Sequence, residues 1–177
     1  MRDMSNKQNT IVITSAVRTA IGSFKGSLKD MPAHELGAVV IKEAIKRSNL
    51  KSNDVDEIIM GQVLTAGTGQ NPARQAAIKA GLSVDKTAYV INQVCGSGLR
   101  SVAAAYQSIL SGDSNIVVAG GQESMSNAPH SIRINSGEKF EQKNLIDTMV
   151  HDGLWDAFHG YHMGNTAENV AIKWKIS

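Results

Sequence analysis

The stretch Tyr89-Val90-Ile91-Asn92-Gln93-Val94-Cys95-Gly96-Ser97-Gly98-Leu99 joins two kinds of local order with a very short turn between them. Tyr89-Val90-Ile91 is an aromatic and β-branched run and reads as a strand. From about Leu99 to Leu110, the residues Leu99, Val102, Ala103, Tyr106, Ile109 and Leu110 recur at helical spacing, and Gly112 ends the run. The chain's single cysteine stands in the glycine-flanked turn where strand becomes helix. A strand that feeds a helix this directly is half of a β-α-β unit.

The same alternation extends in both directions. Ile11-Val12-Ile13 predicts a buried strand, and Gly22 and Gly26 mark a turn-rich stretch after it. Pro32 precedes a helix over Ala33 to Arg47 that places Leu36, Val39, Val40 and Ala44 on one face. Ile41 and Ile45 widen that face, and Asn49 ends the helix. Ile58-Ile59-Met60 predicts the next strand. Asn71 and Pro72 start a helix that runs from Ala73 to Ala80 and closes at Gly81. Ile116-Val117-Val118-Ala119 predicts a further strand, running into Gly120-Gly121. The strands are continuous apolar runs, the pattern of strands covered on both faces. The expected fold is therefore α/β, with a mainly parallel sheet between helices.

Past Asn127 the texture changes. Ser126 to Lys143 is polar and irregular, and His151 to Gly164 mixes His, Trp, Tyr, Phe and Gly without a period. Thr166 to Lys175 predicts a helix with Thr166 as its N-cap. The expected division is residues 1–125 as one unit and 126–177 as the opening of a second.

Composition narrows the function classes. Of 177 residues, 42% are hydrophobic and 19% charged, which supports a packed core and argues against disorder. Net charge is +2, aromatics are 5%, and no basic block stands out. Nucleic-acid binding would want a basic stripe or stacking aromatics. No run of about 18 apolar residues suggests a membrane span. Met1 to Thr10 is polar and mixed in charge, so it does not read as a secretory signal. One cysteine builds no intrachain disulfide framework, and a cytoplasmic compartment is expected.

The turn around Cys95 has specific chemistry. Gly96 and Gly98 permit a tight turn and close approach of backbone to a ligand. Unpaired N–H groups and the helix dipole favour an anion at the helix start, so a thiolate there is favoured. The same N–H groups suit an oxyanion on a thioester carbonyl. Cys95 also fits the role of an ordinary buried small hydrophobe, and the residues by themselves leave both readings open. No nearby Cys, Asp and Glu arrangement completes a ligand set with His151, His159 and His162, and no metal is expected. The Gly67–Gly69 loop has neither G-x-G-x-x-G nor a P-loop lysine and reads as a turn.

Asn92-Gln93-Val94-Cys95-Gly96-Ser97-Gly98-Leu99-Arg100-Ser101 resembles the nucleophile segment of the thiolases. Ser15-Ala16-Val17-Arg18-Thr19-Ala20-Ile21-Gly22 resembles the family's N-terminal strand and turn, and Gly69-Gln70-Asn71-Pro72-Ala73-Arg74-Gln75 its second loop and helix. Ala119-Gly120-Gly121-Gln122-Glu123-Ser124-Met125-Ser126 resembles the end of its fourth strand. Tyr161-His162-Met163-Gly164-Asn165-Thr166-Ala167-Glu168-Asn169 resembles part of its loop domain. The stretches follow the family's order along nearly the whole chain. Two positions depart from its pattern: Gln122 stands where Met is usual, and Val94 where Leu or a similar residue is common.

The resemblance implies a thiolase-like fold, of which residues 1–125 form an N-terminal βαβαβαβ half and 126–177 the beginning of a loop domain. It is closest to the short-chain branch, which joins two acetyl-CoA into acetoacetyl-CoA and runs the reverse thiolysis through a cysteine acyl-enzyme. It makes Cys95 the nucleophile and its own N–H one oxyanion donor. It places Leu154, His162 and Met163 along the pantetheine and acyl end of the coenzyme A site. Taken by themselves, His162 reads as a structural histidine and Met163 as core filler. No cofactor beyond the coenzyme A thioesters is implied. Homo-oligomers, dimers or tetramers, are implied as well, with contacts near Tyr89 to Gln93 and Ser126 to Lys143.

The family's activating His in a Gly-His-Pro segment, its Asn-Glu-Ala segment and its second Cys have no counterpart here. The chain is therefore expected to be a truncated thiolase, inactive or nearly so by itself. The family's core is two similar halves packed together, so one helix layer is expected to lie uncovered. Two other readings remain. A ketoacyl synthase shares the fold and the helix-start cysteine, but Cys-Gly-Ser-Gly-Leu and His-Met-Gly favour thiolase. A non-catalytic remnant, or one subunit of a split thiolase with a separate C-terminal half, is the reading from another class.

Overall fold

Ile58, Ile59 and Met60 are at most 1% exposed, and the architecture follows from burying them. The computed structural model describes residues 10–134, 137, 139 and 145–177. Its first region runs α1 (Ala33–Arg47), β1 (Glu57–Gly61), α2 (Pro72–Lys79), β2 (Thr87–Ile91), α3 (Ser97–Ser111) and β3 (Val117–Gly121). The three strands are parallel in the order β2-β1-β3, with Ile59 opposite Tyr89 on one side and Ala119 on the other. Ile58 and Met60 pack with Ile41, Ile45 and the alanines of α2. The opposite face of the sheet receives α3, whose first turn rests on Gly61 and Gly121. This is the expected α/β arrangement, with helices on both faces.

Four local expectations are corrected. Ile11-Val12-Ile13 joins no sheet, and Val12 and Ile13 are 66% and 79% exposed. The outer edges of β2 and β3 are open, but the run docks on neither, because β propensity by itself supplies no partner. The chain that follows is held at the end of α1 instead, where the Ser15 hydroxyl donates to the Ala44 carbonyl at 2.9 Å. In α1 the buried face is Ala33, Gly37, Ala38, Ile41 and Ile45, while Val39 faces solvent. The residues read as the margin of the stripe are its centre.

The third correction concerns α3. It meets the sheet through Ser97, Ser101 and Ala105, and its large apolar residues Leu99, Val102, Tyr106 and Leu110 are exposed. Small side chains let the helix close onto the sheet glycines, so the bulky stripe is turned outward. This is the uncovered helix layer expected of a half-core.

Beyond β3 the elements are short. β4 (His130–Ser131) pairs antiparallel with β5 (Ile146–Asp147), and a π-helical turn spans Met149–Leu154. β6 (Trp155–Asp156) and β7 (Tyr161–His162) form a hairpin that leads into α4 (Met163–Trp174). The fourth correction lies there. The N-cap of α4 is His162, whose Nδ1 accepts the Gly164 N–H at 3.0 Å, and Thr166 sits inside the helix. Residues 1–9, and most of 135–143 in the proposed Ser126–Lys143 contact, lie outside the described residues. Among the described residues no helix is long and apolar enough to cross a membrane.

Candidate active site

The turn carrying Cys95 is held by its own neighbours. Ser97 Oγ accepts the Gln93 N–H at 2.8 Å and donates to the Val94 carbonyl at 2.6 Å. Asn92 Oδ1 accepts the Val94 N–H at 2.9 Å. The Gly96 N–H reaches the Gln93 carbonyl at 3.1 Å. The left-handed residue of this turn is Val94, with φ of 50°, whereas Gly96 has an ordinary φ of −82°. A β-branched residue is costly there, and such strain tends to collect at functional turns.

Gly98 also has a different task from the one its sequence suggests. A Cβ on Gly61 would overlap the backbone of Ser97 and Gly98, and one on Gly121 would lie 3.4 Å from the Gly98 Cα. Three glycines from β1, α3 and β3 thus bring the helix start onto the sheet. The glycine serves helix–sheet contact rather than ligand approach. Gly96, the N-cap of α3, supplies no side-chain cap; the Gly96 and Ser97 N–H groups turn back to the Gln93 and Val94 carbonyls at 3.1 Å and 3.0 Å, and exposed Cys95 immediately precedes them.

Cys95 lines a cavity of about 440 Å³ with Val63, Leu64, Glu123, Met125 and Leu154. That volume and mostly apolar wall suit a small organic ligand. The structure therefore brings Cys95 and Leu154 together from positions far apart in sequence. His162 and Met163 do not line this cavity: His162 caps α4, and Met163 is that helix's first residue. His159 pairs with Asp156 at 3.0 Å and stacks on Tyr161, so the histidines of this region are turned to separate partners.

Two polar residues of the cavity escaped sequence reasoning. Glu123, just past β3, accepts the Val63 N–H at 2.8 Å and the Leu64 N–H at 3.3 Å. Burial pushes its carboxyl above the ordinary value of 4.5, against the pull of these N–H groups. Gln62 donates from Nε2 to the Leu64 carbonyl at 2.9 Å and accepts from Gln122 Nε2 at 2.8 Å. The available signal was their place at the C-terminal ends of adjacent parallel strands, where open α/β sheets bind ligands.

Residues 11–177 match a family model described as thiolase, N-terminal domain. The chain belongs to the thiolase family. It is 61% identical to an acetyl-CoA acetyltransferase of Paracoccus denitrificans over 94% of this chain and 42% of that protein. It is 58% identical to one from Rhizobium meliloti over 98% of this chain and 44% of the relative. With "Acetyl-CoA acetyltransferase, cytosolic" of Rattus norvegicus the identity is 53%, over 98% and 44%. This thiolase chain thus spans between 42% and 44% of the length of these curated relatives. The match decides between the two enzyme readings, for thiolase over ketoacyl synthase.

Proposed function

We propose that Cys95 accepts an acetyl group from acetyl-CoA and passes it to a second acetyl-CoA, forming acetoacetyl-CoA, with thiolysis as the reverse. The Cys95 sulfur adds to the thioester carbonyl, the bond to coenzyme A sulfur breaks, and the coenzyme leaves as its thiol. The deprotonated methyl carbon of the second acetyl-CoA then attacks the acetyl-cysteine. A carbon–carbon bond forms and the thiolate is released. The observation that carries this reading is the exposed Cys95 at the start of α3, in the cavity it shares with Leu154. The names of the relatives support the same chemistry. The Cys95 N–H serves as one oxyanion donor.

Leu154 lies against the acyl end of the coenzyme A arm, with Met163 and His162 farther along it. Because His162 Nδ1 accepts a hydrogen bond, its neutral ring carries the proton on Nε2 and presents a donor to a ligand carbonyl. The reaction uses coenzyme A thioesters and no further cofactor or metal. The base for the thiol comes from polypeptide that covers Leu99, Val102, Tyr106 and Leu110, whether continuous with this chain or a separate C-terminal half. Until that layer is in place the chain does not turn over. The free edge of β2, Tyr89 to Gln93, is the homo-oligomer contact, and the compartment is the cytoplasm.

Acylation needs only the nucleophile and its oxyanion donors. Incubated with acetyl-CoA, the chain acquires an acetyl group that peptide mapping places on Cys95, and the Cys95→Ala variant acquires none there. Acetylation scattered over lysines with Cys95 unmodified would overturn the reading.

A further inference from the structure

A second cavity, about 250 Å³, lies beside the first. Its wall mixes Pro32, Ala66 and Pro129 with the polar side chains of His34, Ser124 and Asn127, at the start of α1 and the chain after β3. One residue is common to both linings: Leu64. Leu64 is 7% exposed, and a Cβ placed on Gly153, the neighbour of Leu154, would meet its Cδ2 at 3.4 Å.

Leu64 is also held unusually firmly for a loop residue. Its N–H is gripped from the Cys95 side by the Glu123 carboxylate, at 3.3 Å and 3.4 Å to the two oxygens. Its carbonyl is gripped by Gln62 Nε2 at 2.9 Å. Gln62 is braced in turn by Gln122, and the Gln122 N–H reaches the Gly61 carbonyl at 2.9 Å. Glu123 thus holds the Leu64 N–H directly, and Gln122 holds the Leu64 carbonyl through Gln62. Side chains held this way define a pocket's dimensions, whereas free loops adapt to what they bind.

We propose that Leu64 is the specificity-determining partition of the Cys95 cavity, with Glu123 and Gln62 as its positioning residues. The proposal rests on Cys95 as the acyl-accepting thiol. With Leu64 in place, an acyl group on Cys95 is confined to the first cavity, which favours a short chain. Cutting Leu64 back joins the two cavities and admits a longer acyl chain along Ala66 and the two prolines.

The chain's single cysteine makes this measurable without turnover. Cys95 is alkylated with iodoacetamide and with N-hexyl iodoacetamide, and the ratio of the two rates is compared among variants. The native chain favours the short reagent. Leu64→Ala shifts the ratio toward the long one by about tenfold or more, the scale of a filled or vacated apolar subsite. Leu64→Met, which keeps the volume, leaves the ratio near native. Glu123→Ala moves it in the same direction as Leu64→Ala, and Glu123→Gln, which keeps one acceptor oxygen, falls between. Where Leu64→Ala does not fold by circular dichroism, Leu64→Val shows a smaller shift of the same sign. Equal ratios for native, Leu64→Val and Leu64→Ala chains, or a native chain that does not discriminate, would overturn the proposal. Alkylation bypasses acetyl-CoA, so this result and the acetylation of Cys95 can fail independently.

Discussion

Glu123 keeps a carboxylate in surroundings that resist its charge. Among the described residues no Lys, Arg or His nitrogen forms an ion pair with it. Its stabilisation comes from the N–H groups of Val63, Leu64 and Ser124, and burial outweighs them, raising the folded pKa above 4.5. A raised carboxyl pKa means that the folded state binds the proton more readily than the unfolded one. The associated stability is full below the unfolded value and is lost as pH rises through the folded value. Glu123→Gln has no such titration. Its melting temperature relative to native is therefore expected to be more favourable at about pH 7 than at about pH 4. Thermal unfolding of both proteins across that range checks this, and a flat difference would count against a buried, unpaired Glu123. The turn around Cys95 was readable from sequence because its setting, a strand, two glycines and a helix, is local. Glu123 and Gln62 were not, because their partners lie about sixty residues away or depend on which strand ends become neighbours. Gln122 shows both sides of this. It stood out as a departure from the family pattern, yet only the fold shows that its Nε2 satisfies Gln62. Its own Oε1 is left buried without a partner among the described residues, at a cost of about 1–3 kcal/mol.

The start of α2 was readable because its cap is local chemistry, whereas that of α4 was not, its N-cap being His162 and not Thr166. Asn71 and Pro72 announced α2, and the structure shows how they start it. Asn71 takes a left-handed conformation with φ of 42°, its Oδ1 accepts the Arg74 N–H at 3.1 Å, and its Nδ2 donates to the Ala88 carbonyl at 2.9 Å. One side chain thus caps α2 and ties it to β2. Asn71→Ala removes the cap, the tie and the residue type that tolerates this backbone. A loss of about 1–2 kcal/mol is expected from the cap, with the tie adding to it. Urea unfolding measures this as a lower midpoint at unchanged slope, and a variant with native stability would show that the cap is dispensable. Helix faces were less readable than the start of α2. The apolar stripe of α3 is real, but its period does not reveal that Ser97, Ser101 and Ala105 take the sheet side. That choice is made by Gly61 and Gly121 on other strands, which admit a helix backbone so closely that a bulky residue could not intervene.

For the molecule as a whole, β1 is the only strand of the three paired on both edges, and it is covered on both faces. Opening it requires the sheet to part and both helix layers to lift. The Ile11-Val12-Ile13 segment is extended and exposed and has no ladder at all. Its composition is that of a buried strand, so sequence reading gave it a place in the sheet, yet it pairs with neither open edge, of β2 or of β3. Native-state hydrogen exchange separates the two cases. The amides of Ile58, Ile59 and Met60 are expected to exchange only through global unfolding, and those of Val12 and Ile13 from the folded state. Global stability of even about 5 kcal/mol is more than three factors of ten, so the two groups should differ at least about a thousandfold in protection. β2 and β3, each with one open edge, should fall between them. Equal protection at Val12 and Met60 would mean that the N-terminal run has found a partner strand, and the sheet order β2-β1-β3 would then have to be extended to include it.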